Sequence, residues 1–418
     1  MMMTKQKIIF VYDDFSADQP ILMGKLFVNV IKDGESYSFE YEKDWLKGNK
    51  TSFTLDPELM PYLGRQYPIG KNIFGLFADA SPDRWGRVLM NKRERITAQK
   101  EGRKPNKLYD SDYLLGVYDE TRMGGVRFKL DQEGPFISND KDTATPPWTT
   151  LRTLEEASRN YERDDGLSEK WLTQLIKPGS SLGGARPKAT VEDTKGQLWI
   201  AKFPSRNDEN DTGAWEMVVH DLALLCGLNV PEAKLEKFSS FGSTFLVKRF
   251  DRVENKRIHF ASAMTLLGKT DGASAEDGSS YLDIADFIKS NGIQAKEDLI
   301  ELWKRIVFNM AVSNTDDHLR NHAFVFRNKG WTLSPLYDVN PVPYGDELSL
   351  NVDENNNSID IELALNTATR FGITEEDAKR YANDILTTVR DNWEIIARKY
   401  GLSHGQIEEM RPAFSACY

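Results

Sequence analysis

The sequence contains few cysteines and no long hydrophobic run. Only Cys226 and Cys417 occur in 418 residues, which excludes a disulfide framework and is typical of proteins in a reducing compartment. The first residues lack the charged and apolar regions of a secretory signal. No segment approaches the roughly 20 consecutive apolar residues that a membrane helix needs. We therefore expect a soluble, cytoplasmic protein with no membrane contact.

The sequence also lacks an excess of basic residues. Its formal net charge is −10, which argues against a broad electrostatic contact with the phosphates of a nucleic acid. Hydrophobic residues make up 40% and aromatic residues 11% of the chain, enough to build globular cores. A chain of this length is expected to form two or three folded units. From the negative net charge we expect no direct binding of nucleic acid.

The first 130 residues show mainly the patterns of β-strands. One helical pattern lies among them, over residues 81–99, and Ser81 and Pro82 are residue types that favour a helix start. Apolar and polar residues alternate in the third strand-like run, as in a half-buried strand. The runs cover residues 7–12, 24–31 and 36–42, and a turn into a further strand covers 123–128.

Residues 131–149 are polar and contain three prolines, which indicates a linker between domains. Residues 151 to about 252 then show a helix, a glycine-rich loop and several strands, whereas helical patterns dominate from residue 283 onward. The strongest helix is predicted for residues 298–312, where apolar side chains recur at helical spacing, and 375–410 is also predicted to be helical. The patterns predict an α+β protein with two or three folded units.

The segment Asn314–Asn321 carries the clearest chemical pattern. In it Asp316 is followed five positions later by Asn321, directly after the predicted buried helix. This spacing matches the catalytic loop of protein kinases, in which the aspartate accepts the proton of the substrate hydroxyl and the asparagine holds Mg²⁺. Because both residue types are common in turns and helix caps, the spacing alone is weak evidence.

A second aspartate follows in the order that the kinase pattern requires. Two short strand patterns, 323–326 and 331–333, flank a hairpin turn, and Asp338 comes shortly after them. Phosphoryl transfer needs hard oxygen ligands for Mg²⁺ and one carboxylate that does not bind the metal. Asn321 and Asp338 meet the first need, and Asp316 meets the second. Together they predict a phosphoryl-transfer centre.

Two neighbours of Asp316 have more than one interpretation. Asp317 is interpreted as a turn or cap residue, although it competes with Asp316 for the role of base. His318 either contacts the transferring phosphate or braces the loop. His322 is less favoured for a role in the reaction. His220, His259 and His404 are scattered without metal-ligand spacing, so a zinc site is not expected.

Residues 179–188 form the strong candidate loop for nucleotide phosphates. Their small side chains would let successive backbone N–H groups converge on an anion, although the loop is neither a Walker A motif nor Gly-x-Gly-x-x-Gly. Lys202 lies on an otherwise apolar predicted strand, where its ammonium group either reaches solvent or lies over phosphates. The preceding loop favours the second interpretation. Glu216 is the expected ion-pair partner of Lys202, with Asp221 as the alternative.

In this order the segments resemble the HipA family of bacterial serine/threonine kinases, the toxin components of toxin–antitoxin pairs. The matching motifs are Ser-Ser-Leu-Gly-Gly-Ala-Arg-Pro-Lys (180–188), Trp-Ile-Ala-Lys (199–202), Val-Lys-Arg-Phe-Asp-Arg (247–252), Asn-Thr-Asp-Asp-His-Leu-Arg-Asn-His (314–322) and Leu-Tyr-Asp-Val (336–339). The resemblance implies a bilobal, protein-kinase-like α+β fold. Its parts would be an added β-rich N-terminal subdomain (1–130), a linker (131–149), a kinase N-lobe (150–250) and a mainly helical C-lobe (251–418).

The resemblance also implies roles for individual residues. Asp316 would be the catalytic base with His318 beside it, Asn321 and Asp338 would bind Mg²⁺, and Lys202 would contact a phosphate of ATP. Further ATP contacts are implied for Ser181, Leu182, Gly183, Gly184, Ala185 and Lys188 of the loop, for Lys248 and Phe250 beside the adenine, and for Asp251 at the ribose.

Family members phosphorylate a serine of their own glycine-rich loop. The resemblance places this modification on Ser181, with Ser180 as the alternative. A phosphate there would repel the phosphates of ATP and stop the loop from closing over them. The founding toxin has Gly-Ala-Gln-Glu-Lys where this chain has Gly-Ala-Arg-Pro-Lys at 184–188, which leaves the loop's amide geometry and the target open.

Two functions are therefore expected. The first is an ATP- and Mg²⁺-dependent kinase that acts as a toxin on a protein substrate, such as an aminoacyl-tRNA synthetase. The alternative is a nucleotide-binding pseudokinase that works through a HipB-like, DNA-binding antitoxin partner. The presence of all the expected catalytic residues favours the kinase. A small-molecule kinase on a related fold would lack the serine of the loop.

Overall fold

The computed structural model describes residues 6–32, 34–48, 54–138, 145–162, 175, 186–254 and 256–418. The chain is a mixture of helices and sheets that forms two compact units. Unit 1 comprises Met1–Ser205, Arg249–Ala261 and Val325–Lys329, and unit 2 comprises Arg206–Lys248, Ser262–Phe324 and Gly330–Tyr418. No helix in the described ranges has the length and apolar character needed to cross a bilayer.

Unit 1 begins with a four-stranded antiparallel sheet. Its order is β3-β2-β1-β4, and its strands are β1 (Gln6–Asp13), β2 (Ile21–Ile31), β3 (Gly34–Tyr41) and β4 (Val126–Lys129). Alternate side chains such as Ile9 and Val11 of β1 are fully buried, because successive residues of a strand point to opposite faces. The strands predicted at 7–12, 24–31 and 36–42 are confirmed.

The helices of unit 1 are α1 (Lys43–Gly48), α2 (Gly75–Asp79), α3 (Arg84–Lys100), α4 (Asp110–Gly116) and α5 (Leu151–Glu162). The predicted start of α3 at Ser81 and Pro82 is wrong. The cap is Asp83, whose carboxylate accepts a hydrogen bond from the backbone N–H of Gly86 at 2.8 Å. Ser81 instead donates its hydroxyl to the carbonyl of Phe77 at 2.8 Å, so it belongs to the end of α2.

Unit 1 also contains an antiparallel hairpin of β5 (Lys188–Glu192) and β6 (Leu198–Lys202). Lys188 and Lys202 are directly paired across it. The turn is held by Asp193, which accepts from two backbone N–H groups and from the Trp199 indole. The short strands β9 (Arg252–Val253) and β10 (Lys256–Arg257) pair further along the chain.

Unit 2 is mainly helical. Its helices are α6 (Thr212–Leu225), α7 (Ala263–Leu266), α8 (Tyr281–Asn291), α9 (Ala295–Ala311), α10 (Ile361–Thr367), α11 (Glu375–Lys399) and α12 (His404–Met410), and short 3-10 turns cover Ala275–Asp277, Ala368–Phe371 and Arg411–Cys417. Strands β7 (Ala233–Glu236) and β8 (Thr244–Lys248) form an antiparallel hairpin. Strand β13 (Gly330–Leu333) also belongs to unit 2. The residues of β11 (His259–Ser262) and β12 (Ala323–Arg327) are divided between the two units.

Helix α9 is the core element of unit 2. Leu302, Trp303 and Ile306 are fully buried on it, and the Trp303 indole donates to the carbonyl of Ala364 in α10 at 2.9 Å. This agrees with the helix predicted at 298–312. The helix predicted over 375–410 is broken after α11, because Gly401 adopts the left-handed backbone (φ 77°) that ends helices.

Candidate active site

The candidate catalytic loop, residues 313–322, follows α9 directly. Ser313 turns the chain with a left-handed backbone (φ 46°), and the N–H of Asn314 donates to the carbonyl of Asn309 at 2.8 Å. The two successive aspartates then have opposite environments. The side chain of Asp316 is 81% exposed, whereas that of Asp317 is 1% exposed.

Asp317 is the centre of a buried hydrogen-bond network. Its Oδ2 atom accepts from the Tyr281 hydroxyl at 2.7 Å, from Asn309 Nδ2 at 2.6 Å and from His322 Nε2 at 2.7 Å. Burial alone would raise the pKa of Asp317, but His322 and Tyr281 outweigh it and hold the pKa below its usual value. The network therefore fixes the loop to α8, to α9 and to the start of β12.

Tyr281 and Asn309 were not predicted as partners of this loop. One signal was present, because Asn309 lies at helical spacing from Leu302 and Ile306, on the face of α9 that is otherwise apolar. A polar side chain on a buried face needs a hydrogen-bond partner. The amide of Asn309 in fact bridges two positions of the loop, since its Oδ1 also accepts from Asn314 Nδ2 at 3.1 Å.

Asp316 is open to solvent and has charged neighbours. Nε2 of His318 lies 4.0 Å from Asp316 Oδ1. Partial loss of hydration in the loop and then the carboxylates of Asp338 and Asp317 raise the pKa of Asp316, while His318 opposes the shift. A carboxylate with a raised pKa accepts a proton more readily than an ordinary aspartate. The structure thus brings the predicted residues Asp316, His318 and Asp338 into one neighbourhood.

Asn321 is oriented by its own loop. Its Nδ2 donates to the carbonyl of Asp316 at 2.8 Å. Its Oδ1 atom is buried and, among the residues that the structure describes, accepts no hydrogen bond. A buried amide oxygen in this condition has an unmet need for a donor or a cation. Because Mg²⁺ prefers hard oxygen ligands, the Asn321 side chain is suited to the predicted metal-binding role, and the role of Asp338 as a second ligand stays a prediction.

The segment around Asp338 is held against the catalytic loop. The Tyr337 hydroxyl donates to the carbonyl of Arg320 at 2.7 Å, and the N–H of Asn340 donates to Asn314 Oδ1 at 3.4 Å. Asp338 itself has a left-handed backbone (φ 59°), which aspartate tolerates better than most residues. Strained backbone of this kind concentrates at functional sites.

The residues predicted to contact the nucleotide divide between the two units. Lys202, Lys188, Phe250 and Asp251 belong to unit 1, and Lys248 belongs to unit 2. Residues 176–185 lie outside the described residues, so the predictions for Ser180, Ser181, Leu182, Gly183, Gly184 and Ala185 stay predictions. Lys202 is buried on β6 with 6% exposure, and Lys248 Nζ lies 3.7 Å from Glu232 Oε2. Asp221, the alternative partner of Lys202, accepts from Lys399 and Tyr400.

Asp251 has partners that the sequence did not predict. Its oxygens accept from Arg249 at 2.9 and 2.7 Å, from Arg252 Nη1 at 2.7 Å and from the backbone N–H of Gly124 at 2.9 Å. Burial would raise the pKa of Asp251, but the two guanidinium groups outweigh it and lower the pKa strongly. The carboxylate therefore ties the segment 249–252 to the loop before β4. Its contact with a ribose stays a prediction.

Lys188 forms a buried ion pair with the helix cap Asp83. Their Nζ and Oδ2 atoms are 3.1 Å apart, and the two side chains are 2% and 1% exposed. The Trp85 indole also donates to the carbonyl of Lys188 at 3.1 Å. In unit 1 this pair joins the start of α3 to the first residue of β5, a contact between positions far apart in the sequence.

The Lys188–Asp83 pair yields a stability prediction. Lys188→Ala removes a buried cation that lies 3.1 Å from the buried Asp83 carboxylate and is expected to lower the free energy of unfolding by about 3 kcal/mol. The double variant Lys188→Met with Asp83→Asn keeps a helix cap and removes both charges, so it is expected to recover most of the loss. Urea unfolding measures both. An unchanged unfolding midpoint with weakened ATP binding would instead assign Lys188 to the nucleotide.

Comparison with known proteins gives the relationship of the chain. Residues 180–393 match the family model of the HipA-like C-terminal domain. The chain is 27% identical over 213 residues to "Putative kinase Y4mE" of Sinorhizobium fredii, covering 49% of this chain and 43% of that protein. It is 24% identical over 284 residues to the serine/threonine-protein kinase toxin HipA of Shewanella oneidensis, covering 58% and 63%. The matches thus span less than two thirds of these relatives' own lengths.

The solved structure of Shewanella oneidensis HipA in complex with HipB and operator DNA shares the fold of this chain. The TM-score is 0.64 at 16% identity, and the match covers 98% of this chain and 95% of the other. This likeness confirms the predicted α+β, HipA-like fold. Because the family model covers more than half of the sequence, this chain belongs to the HipA-like kinase family.

Proposed function

We propose that this chain is an ATP- and Mg²⁺-dependent serine/threonine protein kinase of the HipA type. The observation that carries the proposal is the pairing of Asp316 with Asn321. The Asp316 carboxylate is exposed and its pKa is raised. The backbone carbonyl of Asp316 accepts a hydrogen bond from the Asn321 side-chain amide, whose oxygen has no donor among the described residues. A base that faces solvent beside an open oxygen ligand suits a reaction between a bound nucleotide and an acceptor hydroxyl.

In the proposed reaction each side chain has one task. Asp316 accepts the proton of the acceptor hydroxyl as its oxygen attacks the γ-phosphorus, and the bond from that phosphorus to the leaving ADP oxygen breaks. His318, with Nε2 4.0 Å from Asp316 Oδ1, stabilises negative charge beside the base. Asn321 and Asp338 would hold Mg²⁺, which when bound offsets charge on the phosphate oxygens. Lys202 would contact a phosphate from its buried strand.

The buried network of Asp317 supports the same proposal. Catalysis by positioning requires that the base be held to within a fraction of an ångström. Asp317 supplies this rigidity through three short hydrogen bonds, while its neighbour Asp316 remains accessible. The adjacent aspartates therefore divide the work, one as an anchor of the loop and the other as the base.

The wider biological proposal rests on the relatives. We infer that the chain acts as a toxin on a translation-related protein, such as an aminoacyl-tRNA synthetase, and that a HipB-like antitoxin is its partner. The fold match to a HipA solved with HipB and operator DNA supports the partner. Since the chain carries a net charge of −10, contact with DNA would come through that partner.

Self-phosphorylation tests the kinase proposal directly. Purified protein incubated with Mg²⁺ and ATP is expected to gain a phosphate on Ser181 or Ser180, located by peptide mass spectrometry. The variants Ser181→Ala and Ser180→Ala identify the site, and chelation of Mg²⁺ should prevent the gain. Protein that binds ATP in a calorimeter but never gains or transfers a phosphate would refute the kinase and support the pseudokinase.

A further inference from the structure

A cavity of about 270 Å³ lies between α3 and α4 of unit 1. Met90, Arg93 and Thr97 line it from α3, because residues three and four positions apart are neighbours on the surface of a helix. Leu115 and Gly116 line it from α4. Its volume is close to the lower limit of pockets that bind small molecules. These residues have no role in the proposed phosphoryl transfer, so the cavity calls for a separate explanation.

Arg93 lines the cavity with a guanidinium group. Its side chain is half-buried, and among the residues that the structure describes it makes no hydrogen bond and no ion pair. Burial lowers the pKa of Arg93, and the carboxylate of Glu94 opposes this shift without cancelling it. The N–H donors of a guanidinium group are costly to remove from water unless acceptors replace it. The donors of Arg93 therefore favour a bound anion.

The two carboxylates that line the cavity are already paired with other cations. Glu94 accepts hydrogen bonds from the guanidinium group of Arg103. Asp112 accepts from a backbone N–H at 3.0 Å, and its Oδ1 lies 3.7 Å from Lys7 Nζ. Each carboxylate thus has its own counter-charge. Within the part of the chain that the structure describes, Arg93 is left as the surplus positive charge of the cavity.

The end of α4 does not explain the position of Arg93 either. An arginine can cap the last carbonyl groups of a helix, but here the carbonyls of Leu114 and Val117 accept from Arg122 at 2.8 and 3.0 Å. Gly116 lets the helix end come close to Arg93, since a Cβ atom on Gly116 would lie 3.7 Å from Arg93 Nη2. The guanidinium group of Arg93 therefore lies beside α4 without capping it.

We propose that this cavity binds a small carboxylic acid as its monoanion, with the carboxylate on Arg93 and an apolar group against Met90 and Leu115. A guanidinium group can donate two parallel hydrogen bonds to a carboxylate, and Thr97 offers a hydroxyl one turn further along α3. One surplus positive charge is matched by one negative charge. A phosphate dianion would instead bring a second negative charge close to the two carboxylates of the cavity.

Binding of benzoate and hexanoate to the full-length protein tests the cavity. The two probes carry a flat and a flexible apolar group, and benzamide, hexanamide and phenyl phosphate are compared with them by NMR titration. The wild type is expected to bind at least one of the two carboxylates about tenfold more tightly than its amide, because hydrogen bonds between charged groups are the stronger ones. Arg93→Met is expected to weaken binding of that carboxylate about tenfold and to change binding of its amide less than about twofold.

Arg95→Met is the matched control, because Arg95 is an exposed arginine of the same helix, and it should leave carboxylate binding unchanged. In urea unfolding without a probe, Arg93→Met should have a midpoint no lower than that of Arg95→Met, since an arginine kept for a ligand adds nothing to folding. A lower midpoint would make Arg93 structural and overturn the site. Binding of neither carboxylate, equal binding by Arg93→Met, or tighter binding of phenyl phosphate would also overturn it. The titrations need no ATP, so they are independent of the kinase proposal.

Discussion

Replacing Asp316 by asparagine is expected to lower the rate of phosphoryl transfer about 1,000-fold. The substitution keeps the size and exposure of the side chain but removes the oxygen that accepts the hydroxyl proton, and general-base catalysis typically contributes 10²–10⁴-fold. Because the Asp316 side chain is 81% exposed, its loss should barely change stability. Single-turnover transfer of labelled phosphate measures the rate, and calorimetric titration with ATP should show that binding is retained.

The raised pKa of Asp316 also predicts how kcat/KM falls at acidic pH. The pKa of Asp316 is raised above its ordinary value, by partial loss of hydration and by the neighbouring carboxylates Asp338 and Asp317. A base must be ionised to accept a proton, so kcat/KM should fall as the pH decreases through this raised pKa. The fall should therefore begin at a higher pH than it would for a free aspartate, whose pKa is about 3.9.

Asp360→Asn is the matched control for this experiment. Asp360 caps α10 and accepts a hydrogen bond from the N–H of Glu362 at 3.0 Å. Asparagine caps a helix as well as aspartate does, so this variant removes the same charge from unit 2 without touching the loop. A rate for Asp316→Asn within a few-fold of that control would exclude Asp316 as the base and make a different residue responsible.

The residues proposed for the chemistry could be singled out from the sequence because they lie in short stretches of it. Asp316 and Asn321 are five residues apart in one loop, and Asp338 follows after a hairpin. Their residue types and order match the base and the metal ligands that phosphoryl transfer needs. Local alternation predicted the strands of unit 1 for the same reason, since the side-chain period of a strand is visible in a few residues.

What escaped prediction depends on contacts between distant positions. Nothing near Asp317 in the sequence indicates that the Tyr281 hydroxyl will donate to it. The ion pair of Lys188 with Asp83 was likewise missed, because it needs the packing of α3 against the hairpin. The helix start at Asp83 was assigned to Ser81 and Pro82, since serine and proline are common at that position and only the fold selects among neighbouring candidates.

Asp317→Asn is expected to lower the free energy of unfolding by about 3 kcal/mol and the transfer rate about 100-fold. Hydrogen bonds to a charged group contribute about 1.5–3 kcal/mol each. Tyr281, Asn309 and His322 all donate to one oxygen of Asp317. Neutral asparagine accepts these hydrogen bonds more weakly, so the catalytic loop can shift. A displacement of about 1 Å can lower the rate of transfer about 10²-fold. Urea unfolding and single-turnover assays at a temperature where the variant remains folded measure both effects.

Asp298→Asn is the control for this prediction, because it replaces another buried aspartate of unit 2 by asparagine. Asp298 is also buried in α9 and accepts from Gln294 Nε2 and from the N–H of Leu333, each at 2.9 Å. Burial dominates there and raises the pKa of Asp298, so the fold disfavours its charge, and a neutral amide should cost little. At Asp317 the donors outweigh burial and lower the pKa, so the fold favours the charge. Equal losses in the two variants would contradict this account.

The two aspartates should also differ in their dependence on pH. A group whose pKa is lowered by folding stabilises the protein above its unfolded pKa, and this contribution is lost as the pH falls through the folded pKa. The stability difference between the wild type and Asp317→Asn should therefore be full at neutral pH and shrink below about pH 4. For Asp298, whose pKa is raised, the wild type should instead gain relative to its variant as the pH falls. A parallel response of both variants to acid would show that Asp317 does not anchor the catalytic loop through its charge.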